Sequence, residues 1–386
     1  MTTYRLVTMA SALVIPSADR GAPEDETAPG DRRFGLLIAL IGVVYLLTAT
    51  WSPPYNVESY TNALQARSFA ADAPAEIAGN EHLTEPQYFG RAVLMVETPG
   101  GGATSQYPPG VALWGDPFYL LDTSVTDVTS TYTTAEGDSE LVRYLVPSFA
   151  PAAVAAVLAT TLALLFLGLT LRRHLSETAM LLCVGVMAFD TGAWSVASDQ
   201  LWQHSPGMMT ISLGMYLAST DRFKSSGLAF AGAALIRPHT AIIAAAVGLT
   251  VGIRRRTVRP IVEMSSTSAI GIVGVIAYSR AVFGQASISG GYGSTFTDRA
   301  VSAGNLWTLL GRIGEALVHP DYGILVSSPF VLLAMVALVG RTSKAPDWAV
   351  GGVIGALLYL LVQYKANRVS GGATSSLDIA IRSIPS

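Results

Sequence analysis

The stretch GLAFAGAALIRPHTAIIAAAVGLTVG, from Gly227 to Gly252, decides how this chain is folded. It is 26 residues long with Arg237-Pro238 near its middle, so it is long for one membrane crossing of roughly 20 residues and short for two. The basic clusters around it choose between these readings, because short loops rich in Lys and Arg stay in the cytoplasm. Asp31-Arg32-Arg33 puts the N-terminus inside, and strict alternation then puts Arg172-Arg173-His174 and Asp221-Arg222-Phe223-Lys224 inside as well. A single crossing of Gly227 to Gly252 would turn Arg254-Arg255-Arg256 and Arg259 outward, whereas a short hairpin that returns keeps them inside. Only the hairpin leaves every basic cluster on one face.

Working outward from that hairpin, apolar runs of spanning character extend over Phe34 to Trp51, Phe149 to Leu171, Thr178 to Ala197, Pro206 to Ser219, Ile261 to Phe283, Ile324 to Gly340 and Trp348 to Tyr364. With the two arms of the hairpin as the fifth and sixth, the expectation is an all-α polytopic membrane protein of about nine segments, its N-terminus cytoplasmic and its C-terminus extracytoplasmic. Composition agrees: 51% of the residues are apolar and only 13% are charged, against roughly 25% charged in ordinary globular chains. A net charge of -3 offers no basic excess for a phosphodiester backbone, which excludes nucleic acid as a partner. One cysteine, Cys183, excludes an intrachain disulfide, a CxxC redox pair and a cysteine-rich metal cluster.

Residues 1–33 read as a disordered cytoplasmic tail, with an acidic, Pro-rich stretch GAPEDETAPGD after a weak apolar patch from Leu6 to Ile15. Because this tail precedes the first apolar run and no small-residue cleavage site follows it, that run reads as a retained anchor rather than a signal peptide. Residues 34–364 form the transmembrane domain. Within it, residues 52–148 make a long first extracytoplasmic loop and residues 284–323 a second, in which Asn305 to Val318 has the pattern of an amphipathic surface helix. Residues 365–386 make an extracytoplasmic tail. No internal repeat is evident.

Soluble-enzyme motifs are missing: there is no phosphate-binding loop, no nucleophile elbow and no HExxH, and GGGATS at Gly100 matches a Gly-rich loop in composition only. The polar residues with chemical potential therefore gather on the external face. Glu58 stands a few residues beyond the first membrane exit, at the start of a short helical pattern in which Ala63, Ala66 and Phe69 or Ala70 would face the bilayer surface. A partly desolvated carboxylate there can act as a general base toward a hydroxyl; from the residue alone, a solvated loop carboxylate or a first-turn residue favoured by the helix dipole is the preferred reading. SQYPPGVALWGDPFYLL, from Ser105, predicts a short interfacial helix after Tyr107-Pro108-Pro109-Gly110, with Trp114, Phe118 and Tyr119 suited to the headgroup zone. WSVASDQLWQHSPGMMT clusters Asp199, Gln203 and His204, which serve either structural hydrogen bonding, substrate contact or metal ligation. Arg237 at the hairpin tip requires a partner, either a lipid phosphate or a carboxylate such as Glu58 or Asp199. Arg299 and Asp321 are isolated charges in Gly- and Ser-rich external segments, for which loop punctuation is a sufficient reading.

The order of these features resembles the GT-C class of membrane glycosyltransferases, relatives of the protein O-mannosyltransferases and the aminoarabinose transferases. The resemblance rests on the first span, the acidic residue and Tyr early in the first external loop (Glu58 and Tyr60), Tyr107 to Tyr119, WQHSP at Trp202 to Pro206, the RP of GAALIRPHTA, the Tyr-Gly-Ser loop GGYGSTFTDRA and DYGILVSSP. It implies transfer of a sugar from a polyprenyl-phosphate donor to a glycan, lipid or protein acceptor on the outer face of the cell membrane. Glu58 would be the catalytic base. Arg237, then Arg299, would hold the donor phosphate, and Tyr60, Tyr107, Gln203 and His204 would line the cavity. The resemblance calls for no cofactor, and a divalent metal is not indicated. Members often carry an Asp or an Asp-Glu pair where this chain has Asn56-Val57-Glu58, and relatives continue into further membrane helices beyond the point reached here by Ser386. The expectation at that end is either missing last helices or a shortened and inactive form. A non-catalytic protein that binds or translocates lipid-linked saccharides is the rival expectation.

Overall fold

A computed structural model of the chain describes residues 29–52, 57–71, 95–133, 139–289 and 345–367, with a few isolated positions beyond 290. The expected N-terminal tail up to residue 28, the amphipathic stretch Asn305 to Val318 as a helix, Arg299, the span Ile324 to Gly340 and the C-terminal tail lie outside the described residues. The described chain is mostly helical, and it divides into two compact units.

The first unit is a helical bundle. Helix α1 (Pro29–Thr48) begins five residues ahead of the expected Phe34, with Pro at its first position. After α2 (Val57–Ala70) and α3 (Gly110–Tyr119) come α4 (Ala150–Leu171), α5 (Glu177–Phe189), a π-turn over Ala193–Ala197 and α6 (His204–Ser219). The third expected span therefore ends as a regular helix at Phe189 rather than at Ala197. Tyr45 at the end of α1 donates to the Ala188 carbonyl at the end of α5 (2.7 Å), while Arg33 and Glu177 pair at their beginnings, so α1 and α5 run side by side in the same direction. Helix α4 runs opposite to α1, because a Cβ at Gly168 would collide with the Phe34 ring. Along α4 the residues Ala152, Ala153, Ala155, Ala156, Ala159 and Ala163 are buried. Such a surface of small side chains lets α4 approach α6, whose Ser205, Gly207, Gly214 and Ala218 are buried in turn.

The second unit holds the hairpin. Helix α7 (Phe223–Ile236) and helix α8 (Ala241–Arg255) are separated by a single 3-10 turn, Pro238–Thr240. The break falls at Arg237 (φ -143°, ψ 103°) because the ring of Pro238 pushes the preceding residue out of the α region. At about 1.5 Å of rise per residue, arms of 14 and 15 residues are each too short to cross a 30 Å hydrocarbon core. Helix α9 (Arg259–Phe283) packs on α7, with Gly227 against Met264, Gly271 against Ala231 and Gly274 against Leu235. Helix α10 (Asp347–Asn367) packs on α8 through Gly351 and Gly355, four apart, each of which lets a backbone of α8 come close. By length and composition α4 and α9 are long and apolar enough to cross a membrane.

The segment expected to form the first external loop, residues 52–148, corrects the all-α expectation where it is described. It carries β1 (Met95–Glu97) paired antiparallel with β2 (Ala103–Ser105), and β3 (Val125–Thr133) paired with β4 (Ser139–Pro147). The Gly-rich stretch at Gly100 is the turn of the first pair: Gly101 takes φ +82° and donates to the Thr98 carbonyl, a conformation that a side chain would strain.

Candidate functional site

At one end of the first unit, four segments converge. Helix α2 follows the exit of α1 and is almost wholly buried, including Ser59, Thr61, Asn62, Gln65 and Ser68. Its Ala63 and Ala66 are buried as well, and Ala66 faces Gly115 of α3, so the expected exposure of these alanines to the bilayer surface does not hold. A polar helix with much of its surface buried must find partners within the protein, and α2 finds some of them on the segment from Asp199 to Gln203. The Asn62 amide donates to the Leu201 carbonyl (3.1 Å), and the Glu58 carboxylate accepts the backbone N–H of Gln203 (2.9 Å).

Gln203 stands immediately before α6, where unpaired N–H groups and the positive end of the helix dipole favour an anion. Glu58 is half-buried in the first turn of α2. Asp199 has a different partner: one oxygen accepts both the Thr50 N–H and the Thr50 hydroxyl, each at 2.8 Å, tying the exit of α1 to the connection before α6. Tyr60 donates to the Leu145 carbonyl (2.7 Å) and lies beside the Phe149 ring. Gln203 is buried, whereas His204 is exposed with its ring near Trp202.

A recess of about 10 Å³ opens here, lined by Thr50, Ser52, Ser59, Phe149, Gln200 and Leu201 among others. Asn62 Oδ1 is buried without a hydrogen-bond partner among the described residues. Helix α3 covers this end. Two of its aromatics hydrogen-bond to the protein: Trp114 donates to the Ala155 carbonyl (2.9 Å) and Tyr119 to the Ser148 carbonyl (2.8 Å). The opposite end of the bundle carries Arg32, Arg33, Arg172 and Arg173, with Arg33 paired to Glu177.

Tyr107 and Arg237 belong to the second unit. The Tyr107 N–H donates to the Ser105 hydroxyl (3.2 Å) as the chain leaves β2. Arg237 Nη1 donates to the Tyr359 hydroxyl of α10 (3.1 Å), and the neighbouring His239 ring stacks on the same tyrosine at 4.8 Å. One partner of this arginine is therefore a phenol on a helix more than a hundred residues away. Thr50 and Asn62, which hold the carboxylate-bearing end together, were not singled out from sequence; nothing local marks them, since each finds its partner across more than a hundred residues. Among the described residues, no group of three or more His, Cys, Asp or Glu gathers as a metal set. No protein-family model, no curated protein and no solved structure matches the chain.

Proposed function

We propose that this is a multi-pass membrane glycosyltransferase that moves a sugar from a polyprenyl-phosphate donor to an acceptor at the outer face of the cytoplasmic membrane. The reading takes the N-terminus as cytoplasmic and counts nine membrane segments, the hairpin arms included. One observation carries it: a half-buried carboxylate, Glu58, is fixed by Gln203 at the end of the bundle opposite Arg32, Arg33, Arg172 and Arg173. If the arginine end faces the cytoplasm, Glu58 stands at the outer boundary.

In this mechanism the Glu58 carboxylate takes the proton of an acceptor hydroxyl as the oxygen attacks the anomeric carbon of the donor. The bond from that carbon to the phosphate oxygen breaks, and polyprenyl phosphate leaves with the electron pair. The hydrogen bond from Gln203 fixes the rotamer of a side chain that would otherwise sample several. The GT-C resemblance would give Arg237, and Arg299 after it, the donor phosphate and its growing charge. The GT-C resemblance would give Tyr60, Tyr107, Gln203 and His204 contacts with the substrate.

A second reading is favoured by the same contact. A carboxylate at the start of α6 is a helix-capping device in its own right, which fits a non-catalytic protein that binds or translocates lipid-linked saccharides. Glu58→Gln separates the two readings: it abolishes product formation in a transferase and leaves donor binding in place in a binding protein. The assay is sugar transfer from a polyprenyl-phosphate donor by the purified full chain, alongside donor binding.

A further inference from the structure

Four helix ends of the second unit meet on one side of it. The Arg255 guanidinium lies 5.8 Å over the ring of Phe223 at the start of α7. The chain then turns from α8 into α9 with Arg256 in the left-handed conformation (φ 53°) and the Thr257 N–H bonded to the Gly252 carbonyl. The start of α10 is clasped to the same place, since Asp347 pairs with both Arg254 (3.1 Å) and Arg255 (3.0 Å). Arg259 pairs with Glu263 at 3.1 Å.

Six cations therefore collect here, Arg222, Lys224, Arg254, Arg255, Arg256 and Arg259, against Asp347, Glu263 and Asp221, the residue before Arg222 in the chain. The apolar residues between them are not packed away: Ile253 is 65% exposed, Val258 72% and Val262 60%. Cations alternating with bare aliphatic side chains at the end of a helical unit match the boundary of a bilayer, where phosphate headgroups overlie the first methylenes. A free phosphate ion would account for the arginines and leave the three aliphatic residues unexplained.

The geometry points to this rim as a binding surface for anionic phospholipid headgroups, with Ile253, Val258 and Val262 dipping into the acyl boundary beneath them. Arg254, Arg255 and Arg259 are partly engaged by Asp347 and Glu263, so Arg222, Lys224 and Arg256 supply the exposed charge toward phosphate. This inference rests on the membrane-inserted reading of the chain and not on glycosyl transfer.

The test uses the purified full chain and native mass spectrometry of retained lipid, after exposure to phosphatidylglycerol or phosphatidylcholine. Wild type retains phosphatidylglycerol about fivefold more, a preference that weakens with added salt. Arg222→Gln/Lys224→Gln/Arg256→Gln removes most of that preference, while Arg222→Lys/Arg256→Lys keeps it. Thermal unfolding in phosphatidylcholine checks that the variants are folded, and Arg256→Glu alone gives the same loss if the triple variant unfolds. Equal retention of the two lipids by wild type, an unchanged preference in a folded triple variant, or displacement of phosphatidylglycerol by inorganic phosphate at equal concentration would overturn it. Neither Glu58 nor a sugar donor enters this assay, so its failure leaves the transferase reading to its own test.

Discussion

The carboxylate of Glu58 accepts the backbone N–H of Gln203 at 2.9 Å across 145 positions of sequence. This contact fixes the first turn of α2 to the start of α6, and with it the orientation of the side chain on which the proposed chemistry depends.

Asp199 supplies the companion tie. Removing it in Asp199→Ala leaves the Thr50 N–H and hydroxyl without their acceptor, and unfolding stability should fall by roughly 1–3 kcal/mol. Thr50→Val should cost less, because the backbone N–H keeps its bond. The double variant should fall short of the sum of the two, as expected for residues sharing one interaction. Denaturant unfolding of the four proteins in one detergent checks this; strict additivity would mean the pair is not coupled.

Glycine packing in the second unit gives a sharper contrast. A Cβ at Gly355 would come within 2.7 Å of the Ile243 Cα, whereas one at Gly185 in α5 would meet nothing within 4 Å. Gly355→Ala should therefore lower stability by about 1–3 kcal/mol through overpacking. Gly185→Ala should be neutral or stabilising by up to about 1 kcal/mol, from helix propensity alone. Thermal unfolding of both variants tests the close approach of α10 to α8.

His174 lies in the connection after α4, where burial first and the neighbouring Arg173 second push its pKa below the usual histidine value. The unfolded chain therefore takes up the proton before the folded one does. The neutral form contributes stability that is complete above the ordinary pKa of about 6.5 and is lost as pH falls below it toward the depressed folded value. Unfolding at pH 7.5 and pH 5.5 should show a drop for wild type and a smaller one for His174→Gln.

Much of the helical layout could be read from apolar runs: the expected start at Phe149 lies one residue from α4, and Phe283 ends α9 as expected. The break at Arg237 was legible too, because Pro238 acts locally on its neighbour. What escaped was set by distant contacts. Ser59, Asn62 and Gln65 look like a solvated helix face, and they are buried because Leu201, Gln203 and α3 close over α2. The β-branched residues of VTDVTSTYT carried a strand signal, but without a clean apolar alternation it did not stand out in a chain dominated by membrane-like runs. Arg237 illustrates the remaining limit: the need for a partner follows from its side chain, but that Tyr359 is one follows only from how the hairpin and α10 pack.

The most direct test of the central claim compares wild type with Glu58→Gln for sugar transfer from a polyprenyl-phosphate donor, at matched thermal stability. If Glu58 is the base, wild type forms product and the variant is slower by about 100-fold or more, with donor binding retained. Equal rates in the two proteins, or donor binding by wild type without product, would contradict the account.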